Sequence, residues 1–247
     1  MNSSYWKIRC KKYNDLAWVK NKNLLDVLIK FSNFKKTDHV LDLGCGTGIV
    51  SLAIVNKVNS IFAIDSSKEM LAKFKVHPKI TKKLYDIIVN NLDFFPLYYY
   101  DKIIGRMVFH HLTNFESVFK KCYHSLNKGG ELIIQEGGVY PSHKRAMRQW
   151  YSRMMELKED RYNFSVEELK RFYKLAGFKK IKKLVIIDKD FSINNWLKNS
   201  GQSVSIQNYI YDLHYNAPEE IKKDFGMRIN GKEILIESSN LMIKGSK

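Results

Sequence analysis

The stretch VLDLGCGTGIV, residues 40–50, constrains the fold more than any other part of the chain. An apolar run breaks into glycines at 44, 46 and 48, and Ile49–Val58 then takes up the apolar spacing of a helix. A strand turning sharply into a helix through alternating glycines is the opening unit of a βαβ fold, and such glycines let a ligand approach the backbone. The alternation continues along the chain. A helical stretch at Asn23–Phe31 precedes the first strand, His39–Leu43, and Ser60–Ile64 reads as the second. A helix at Lys68–Lys75, strands at Tyr85–Val89 and Lys102–Phe109, a helix at Phe115–Leu126, an NKGG turn and a strand at Glu131–Gln135 follow. Strands separated by helical segments imply an α/β protein with a mostly parallel sheet.

Beyond residue 136 the rhythm loosens. Residues 137–163 carry arginines and aromatics without a strand pattern, and 188–228 form a second aromatic-rich stretch. Between them SVEELKRFYKLAGF predicts a helix: Ser165 and Glu168 have capping-box spacing, and Gly177 stands where a glycine ends a helix. Ile181–Ile187 and Ile234–Ile243, the latter split by Ser238 and Ser239, read as the last strands. Neither irregular stretch holds enough elements for a separate core, so a single domain with two insertions is expected over 1–247.

The N-terminal residues lack an apolar secretory core, no apolar run is long enough to span a bilayer, and three scattered cysteines form no CxxC pair. A cytoplasmic protein without structural zinc is the expectation. Forty-two Lys and Arg against 25 Asp and Glu give a net charge of +17. A nucleic-acid groove would explain such a charge, but the basic pairs are dispersed and no helix or tail concentrates them. A lysine-rich background accounts for it better.

The glycine loop discriminates among ligands. A dinucleotide fingerprint would need its third glycine at Ile49, and a phosphate loop would need Lys and Ser or Thr after Gly48. Asp42, at the end of the strand, would repel a pyrophosphate and attract an ammonium group. Asp65 ends the second strand about 20 residues on, where a carboxylate accepts hydrogen bonds from ribose hydroxyls or caps the next helix. The ligand implied carries ribose and positive charge but no phosphate.

These residues bring the chain into resemblance with class I S-adenosylmethionine-dependent methyltransferases over roughly residues 38–136. VLDLGCGTG resembles that family's first motif, AIDSSKEML its second, NNLDFFPLYYYDKIIGRMVFHHL the third and fourth together, and LNKGGELIIQE the fifth-strand signature. The small-molecule branch of ubiquinone and menaquinone methyltransferases is the nearest in pattern. The resemblance implies a Rossmann-like three-layer sandwich with a seven-stranded, mostly parallel sheet whose last strand is antiparallel. It implies S-adenosyl-L-methionine as cofactor and S-adenosyl-L-homocysteine as product. By position, Asp42 and the loop Gly44, Cys45, Gly46, Thr47 and Gly48 would hold the methionine part, and Asp65 with Ser66 the ribose. Asn91 and Leu92 would meet the adenine, with Asp93 as the rival acid, and Arg106 would abut the cofactor.

Methyl transfer asks mainly for alignment and exclusion of water; a base is needed only where the acceptor holds its proton. His110 and His111 are the base or positioning candidates, and on a strand only one of them would face the cleft. His111 has a packed, hydrogen-bonded role as its alternative, and His214 is a weaker candidate. Acceptor contacts are expected from an N-terminal cap, residues 1–22, and from the two insertions around the core at 23–136. Tyr5, Trp6, Tyr13, Trp18, His143, Arg145, Trp196 and Tyr209 are the candidates, with Trp150, Tyr151, Tyr215, Arg148 and Arg153 beside them. A supplementary core under long loops would use the same aromatics. The fourth strand carries neither a Pro-Pro-aromatic clamp nor a Pro-Cys nucleophile, which weighs against nucleic-acid methylation. The expectation is a small-molecule methyltransferase acting on O, N or C, with no metal and no membrane partner; an RNA methyltransferase and a non-catalytic cofactor-binding scaffold are the alternatives.

Overall fold

A computed structural model of the protein describes residues 7–86 and 99–247. Its sheet runs in the order β3-β2-β1-β4-β5-β8-β6, with a short β7 against β8. Strands β1 (His39–Leu43), β2 (Ser60–Asp65), β3 (Ile80–Leu84), β4 (Tyr100–Arg106) and β5 (Leu126–Gly137) pair in parallel. β8 (Glu233–Ser246) is antiparallel to both β5 and β6 (Lys179–Ser192). The seven-strand path with an antiparallel last strand is therefore as the resemblance implies, and β7 (Arg228–Asn230) adds an eighth as a hairpin ribbon. The order reverses between β1 and β4, where a crevice opens at the strands' carboxyl ends.

The central strands are buried on both faces. Leu41, Leu43, Ile103, Leu132 and Ile134 pack with Phe119 and Cys122 of α4 (Phe115–Ser125) and Leu169 and Tyr173 of α6 (Val166–Ala176). On the other face Val40, Ile61, Ala63, Ile104 and Ile133 meet α1 (Lys22–Ser32) and α2 (Ile49–Ile54). α3 (Lys68–Lys73) follows β2. Near-continuous apolar strands between two helical layers are the signature of a covered parallel sheet. The capping box of α6 forms as its sequence predicts, and Gly177 closes it at φ 100°.

A third apolar cluster lies beyond the carboxyl end of the sheet. It joins Leu16 and Val19 to α5 (Arg145–Lys158), α7 (Ile193–Lys198), α8 (Val204–Tyr215) and α9 (Glu219–Asp224). β6 and β8 extend past the end of β5 to reach it: Gly137 pairs with Asn240, while Phe191 and Ser192 pair further out with Ile236 and Leu235.

Four expectations are corrected. The third strand is ITKKL at 80–84, a lysine-bearing edge strand that ends before Tyr85 and Asp86; the rest of the expected 85–89 strand lies outside the described residues. The NKGG segment belongs to β5, whose register against β4 shifts between Tyr100 and Lys102 to absorb it. The last strand is continuous through Ser238 and Ser239. The fourth strand ends at Arg106, because Met107 adopts φ 55°; Phe109–His111 is a 3-10 turn, so the two histidines do not alternate across a sheet.

His214 belongs to this third cluster. Its Nδ1 lies 2.7 Å from the Ile210 carbonyl, and its ring meets Trp150 edge-on. Burial pushes its pKa down to about 4 from 6.5. The unfolded chain then takes up a proton that the folded one refuses as pH falls from 6.5 to about 4. Stability should drop by ~1 kcal/mol per pH unit across that window. Urea unfolding of His214→Leu should show a shallower acid limb than wild type.

Candidate active site

The glycine loop is suspended from the end of β2. Cys45 N–H donates to the Ile64 carbonyl at 2.9 Å, and Gly46 N–H donates to Asp65 Oδ2 at 2.8 Å. Asp65 Oδ1 accepts from Ser67 N–H at 2.8 Å. A carboxylate has about four acceptor positions, so two remain for hydroxyls after these backbone bonds are made. Burial raises the Asp65 pKa and these two amides oppose the shift. Ser66 beside it is exposed.

The three glycines differ in what they do. A Cβ on Gly44 would lie 2.3 Å from Val108 Cγ2, and one on Gly48 2.2 Å from the Phe74 ring, so both serve packing as well as their positive φ. Above Gly46 a Cβ would meet nothing within 4 Å. The middle of the loop faces open space, as close ligand approach requires. Thr47 Oγ1 donates to Asn14 Oδ1 at 3.0 Å, tying the loop to the N-terminal segment.

Asp42 is buried near the end of β1, and its Oδ2 accepts from Ser51 Oγ at 2.5 Å. Burial pushes its pKa up to about 6. Register places Asp42, Ile104 and Ile133 side by side. Arg106 and Gln135, each two residues further on and paired across the strands, therefore share the face of Asp42. Arg106 Nη2 donates to the Trp18 carbonyl at 3.2 Å, and the guanidinium lies 5.3 Å from the Trp18 ring centre. Arg106 Nε and both amide atoms of the buried Gln135 have no hydrogen-bond partner among the described residues. Leaving such groups unmet is costly, so orphaned donors and an acceptor beside a carboxylate and an arginine suit a zwitterionic ligand tail. The donor set fits the amino-acid end of S-adenosylmethionine. Gln135 was not singled out in the sequence, where it reads as one polar residue in an apolar strand.

The second compartment lies past the ends of β4 and β5. It is a cavity of about 780 Å³, its open mouth included, lined by Tyr13, Trp18, His110, His111, Tyr151, Phe191 and Trp196 together with Arg9, Lys158, Glu159 and Arg161. Glu136, fully buried at the end of β5, organises its inner wall. Its Oε1 accepts from the backbone N–H of Phe109 at 2.8 Å, of Val108 at 3.2 Å and of His110 at 3.4 Å. Its Oε2 lies 2.5 Å from His110 Nδ1. Burial pushes the Glu136 pKa up to about 7, opposed by Arg161 and His111. Burial and the nearby Arg161 hold His110 well below its ordinary value, so the imidazole is neutral. With Nδ1–H given to the carboxylate, Nε2 is the acceptor nitrogen. The His111 ring lies against it, tilted by 55° with ring centres 3.9 Å apart. Glu136, Arg9, Lys158, Glu159 and Arg161 were missed by sequence reasoning, which singled out Arg145, Arg148 and Arg153 instead.

Other candidates fall elsewhere. His143, Arg145, Arg153, Tyr209 and Tyr215 are exposed, and Arg148 pairs with Glu168 at 3.1 Å. Trp150 packs on Phe225 in the third cluster. Tyr5, Trp6, Asn91, Leu92 and Asp93 lie outside the described residues. No helix among the described residues is long and apolar enough to cross a membrane.

Comparison with known proteins agrees with the geometry. Residues 17–183 match the family model described as a methyltransferase domain. A malonyl-[acyl-carrier protein] O-methyltransferase of Ilyobacter polytropus is 29% identical over 133 residues, 52% of this chain and 50% of that one. The chain thus spans about half the length of that curated relative. The structure of the YcgJ protein of Bacillus subtilis superposes with TM-score 0.78 at 17% identity, over 92% of this chain and 99% of that one. A phosphoethanolamine N-methyltransferase of Haemonchus contortus, solved with phosphomonomethylethanolamine and S-adenosylhomocysteine, gives 0.63 at 16% identity, over 92% and 52%. The chain belongs to the methyltransferase domain family, and its sheet is that of the class I, S-adenosylmethionine-dependent methyltransferases.

Proposed function

We propose that this protein transfers a methyl group from S-adenosylmethionine to an O, N or C atom of a small molecule held in the cavity beyond β4 and β5. The observation that carries the reading is the adjacency of two unlike compartments. One has a glycine floor with Asp42, Asp65, Arg106 and Gln135, and the other is an aromatic-lined cavity with a neutral histidine. Trp18 borders both, with its carbonyl and ring against Arg106 and the residue itself lining the cavity.

The bound cofactor supplies an electrophilic methyl on a sulfonium. Asp65 receives the ribose hydroxyls on its remaining lone pairs, and Gly46 leaves room for the tail. Arg106 meets the tail's carboxylate, while Asp42 and Gln135 Oε1 face its ammonium. Where the acceptor carries a proton, His110 Nε2 takes it, and Glu136 steadies the imidazolium that forms. The N-terminal segment and the helices α5 and α7 close the acceptor compartment, which excludes water from the transfer. Within this reading the chain acts as one domain, with 137–163, 188–228 and the described part of the N-terminal segment, 7–22, forming the cover.

RNA methylation is the second reading, favoured by the charge of +17. A salt titration of RNA affinity separates the two. The small-molecule reading expects weak binding without preference for one RNA, and a tight, sequence-dependent complex with a steep salt slope would overturn it.

Asp65→Ala should weaken S-adenosylhomocysteine binding by about 1–3 kcal/mol, the cost of unmet hydrogen bonds to a charged group, with the cooperative unfolding retained. Isothermal titration calorimetry reads this directly, and unchanged affinity removes the ribose role. Asp42 gives a pH signature. Its folded pKa of about 6 means that its charge is lost as pH falls through that value. Affinity for the ammonium-bearing cofactor should decline below pH 6, by up to about tenfold per unit, and Asp42→Asn should abolish that slope.

A further inference from the structure

The cavity has a cationic side as well as an aromatic one. Arg9 Nη1 lies 2.6 Å from Glu159 Oε2, Lys158 Nζ lies 2.7 Å from the same oxygen, and Arg161 Nη1 lies 3.5 Å from Oε1. All four side chains are more than nine-tenths buried, and all four line the cavity. In these contacts three basic side chains meet one carboxylate. The other acid nearby, Glu136, is engaged by three backbone amides and by His110.

An uncompensated buried charge is expensive, and it is relieved by losing a proton or by gaining a counter-ion. The site shows the first kind of relief: burial and then Arg9 push the Lys158 pKa down to about 7. Arg161 cannot deprotonate. Its Nη2 donates to the Gly137 carbonyl at 3.3 Å, and its buried Nε has no partner among the described residues. Guanidinium donors buried beside a cavity suit a planar or tetrahedral oxyanion.

A metal is the competing occupant. His110, His111 and Glu159 present ligand atoms within 4.8 Å of one another. A dication there would sit among Arg9, Lys158 and Arg161, and Glu159 would have to surrender its ion pairs. Coulomb repulsion from the Arg9 and Arg161 guanidinium groups, which stay charged whether or not Lys158 holds its proton, decides against it.

We propose that the acceptor is a small acid, with an apolar or aromatic body among Trp18, Phe191 and Trp196 and a carboxylate or phosphate held by Arg161, Arg9 and Lys158. This rests on the reading of the cavity as the acceptor compartment. The lining of the site supports it: aromatic rings and basic side chains stand together, with Lys158 Nζ 5.0 Å from the Trp196 ring centre and His110 on the same cavity.

The test is calorimetric titration of the intact protein with benzoate, phenyl phosphate and neutral benzamide, each with and without saturating S-adenosylhomocysteine. One or both anions should bind saturably and at least tenfold more tightly than benzamide, and the tighter anion assigns the acidic group. Arg161→Gln should weaken anion binding at least tenfold while leaving the S-adenosylhomocysteine isotherm in place. Lys158→Met should weaken it in the same direction, so a fold defect in one variant does not decide the matter, and the wild-type comparison stands without either. Equal binding of benzamide and benzoate, or no anion binding, would overturn the proposal. Stoichiometric zinc uptake that His111→Ala removes, with no anion binding, would overturn it in favour of a metal. Failure of S-adenosylhomocysteine to bind would count against the cofactor reading alone, since the anion titrations are also run without it.

Discussion

The Glu136 carboxylate is the interaction on which the acceptor side of this structure depends. It is buried at the carboxyl end of β5, where the sheet gives out and the chain from β4 must turn away. By accepting the amides of residues 108–110 it satisfies donors that a strand would otherwise have paired, and so a 3-10 turn can stand where strand would be expected. Its second oxygen fixes the ring of His110. Position and tautomer of that histidine follow from one side chain on the neighbouring strand, while its neutrality comes from burial and from Arg161.

Asp65 does the equivalent work on the cofactor side. It holds Gly46 and Ser67 through their amides, which ties the glycine loop to the end of β2. Each compartment therefore has an acid at a strand end, Asp65 on β2 and Glu136 on β5, that spends part of its hydrogen-bonding capacity on backbone. That rigidity suits an alignment reaction, in which small displacements of the reacting atoms cost much of the rate.

What the sequence made legible is what is local. The glycine loop, Asp65 at a strand end and the capping box of α6 each depend on residues a few positions apart, and each stands where its spacing places it. The third strand was harder, because an edge strand carrying Lys82 and Lys83 has no apolar alternation to announce it. The strand-ending conformation of Met107 has no propensity signal at all. The polar cluster of the cavity was invisible for another reason. Arg9 and Glu159 are 150 positions apart, and either alone reads as a surface charge. Only the folded chain shows that they are buried against each other. Gln135 and Glu136 are similar: adjacent polar residues closing an apolar strand, they face opposite sides of the sheet and serve different compartments.

The long strands β6 and β8 have a consequence for how such a protein diversifies. Their inner halves belong to the sheet, while their outer halves, at Phe191 and at Ile236–Asn240, furnish the cavity's base. Changes there would propagate along a hydrogen-bonded ladder into the centre of the molecule. The wall contributed by α5 and α7 has no such continuity, and it can vary without disturbing strand register. New acceptor preferences in proteins of this build should thus be written on the helices, with the ladder acting as ballast.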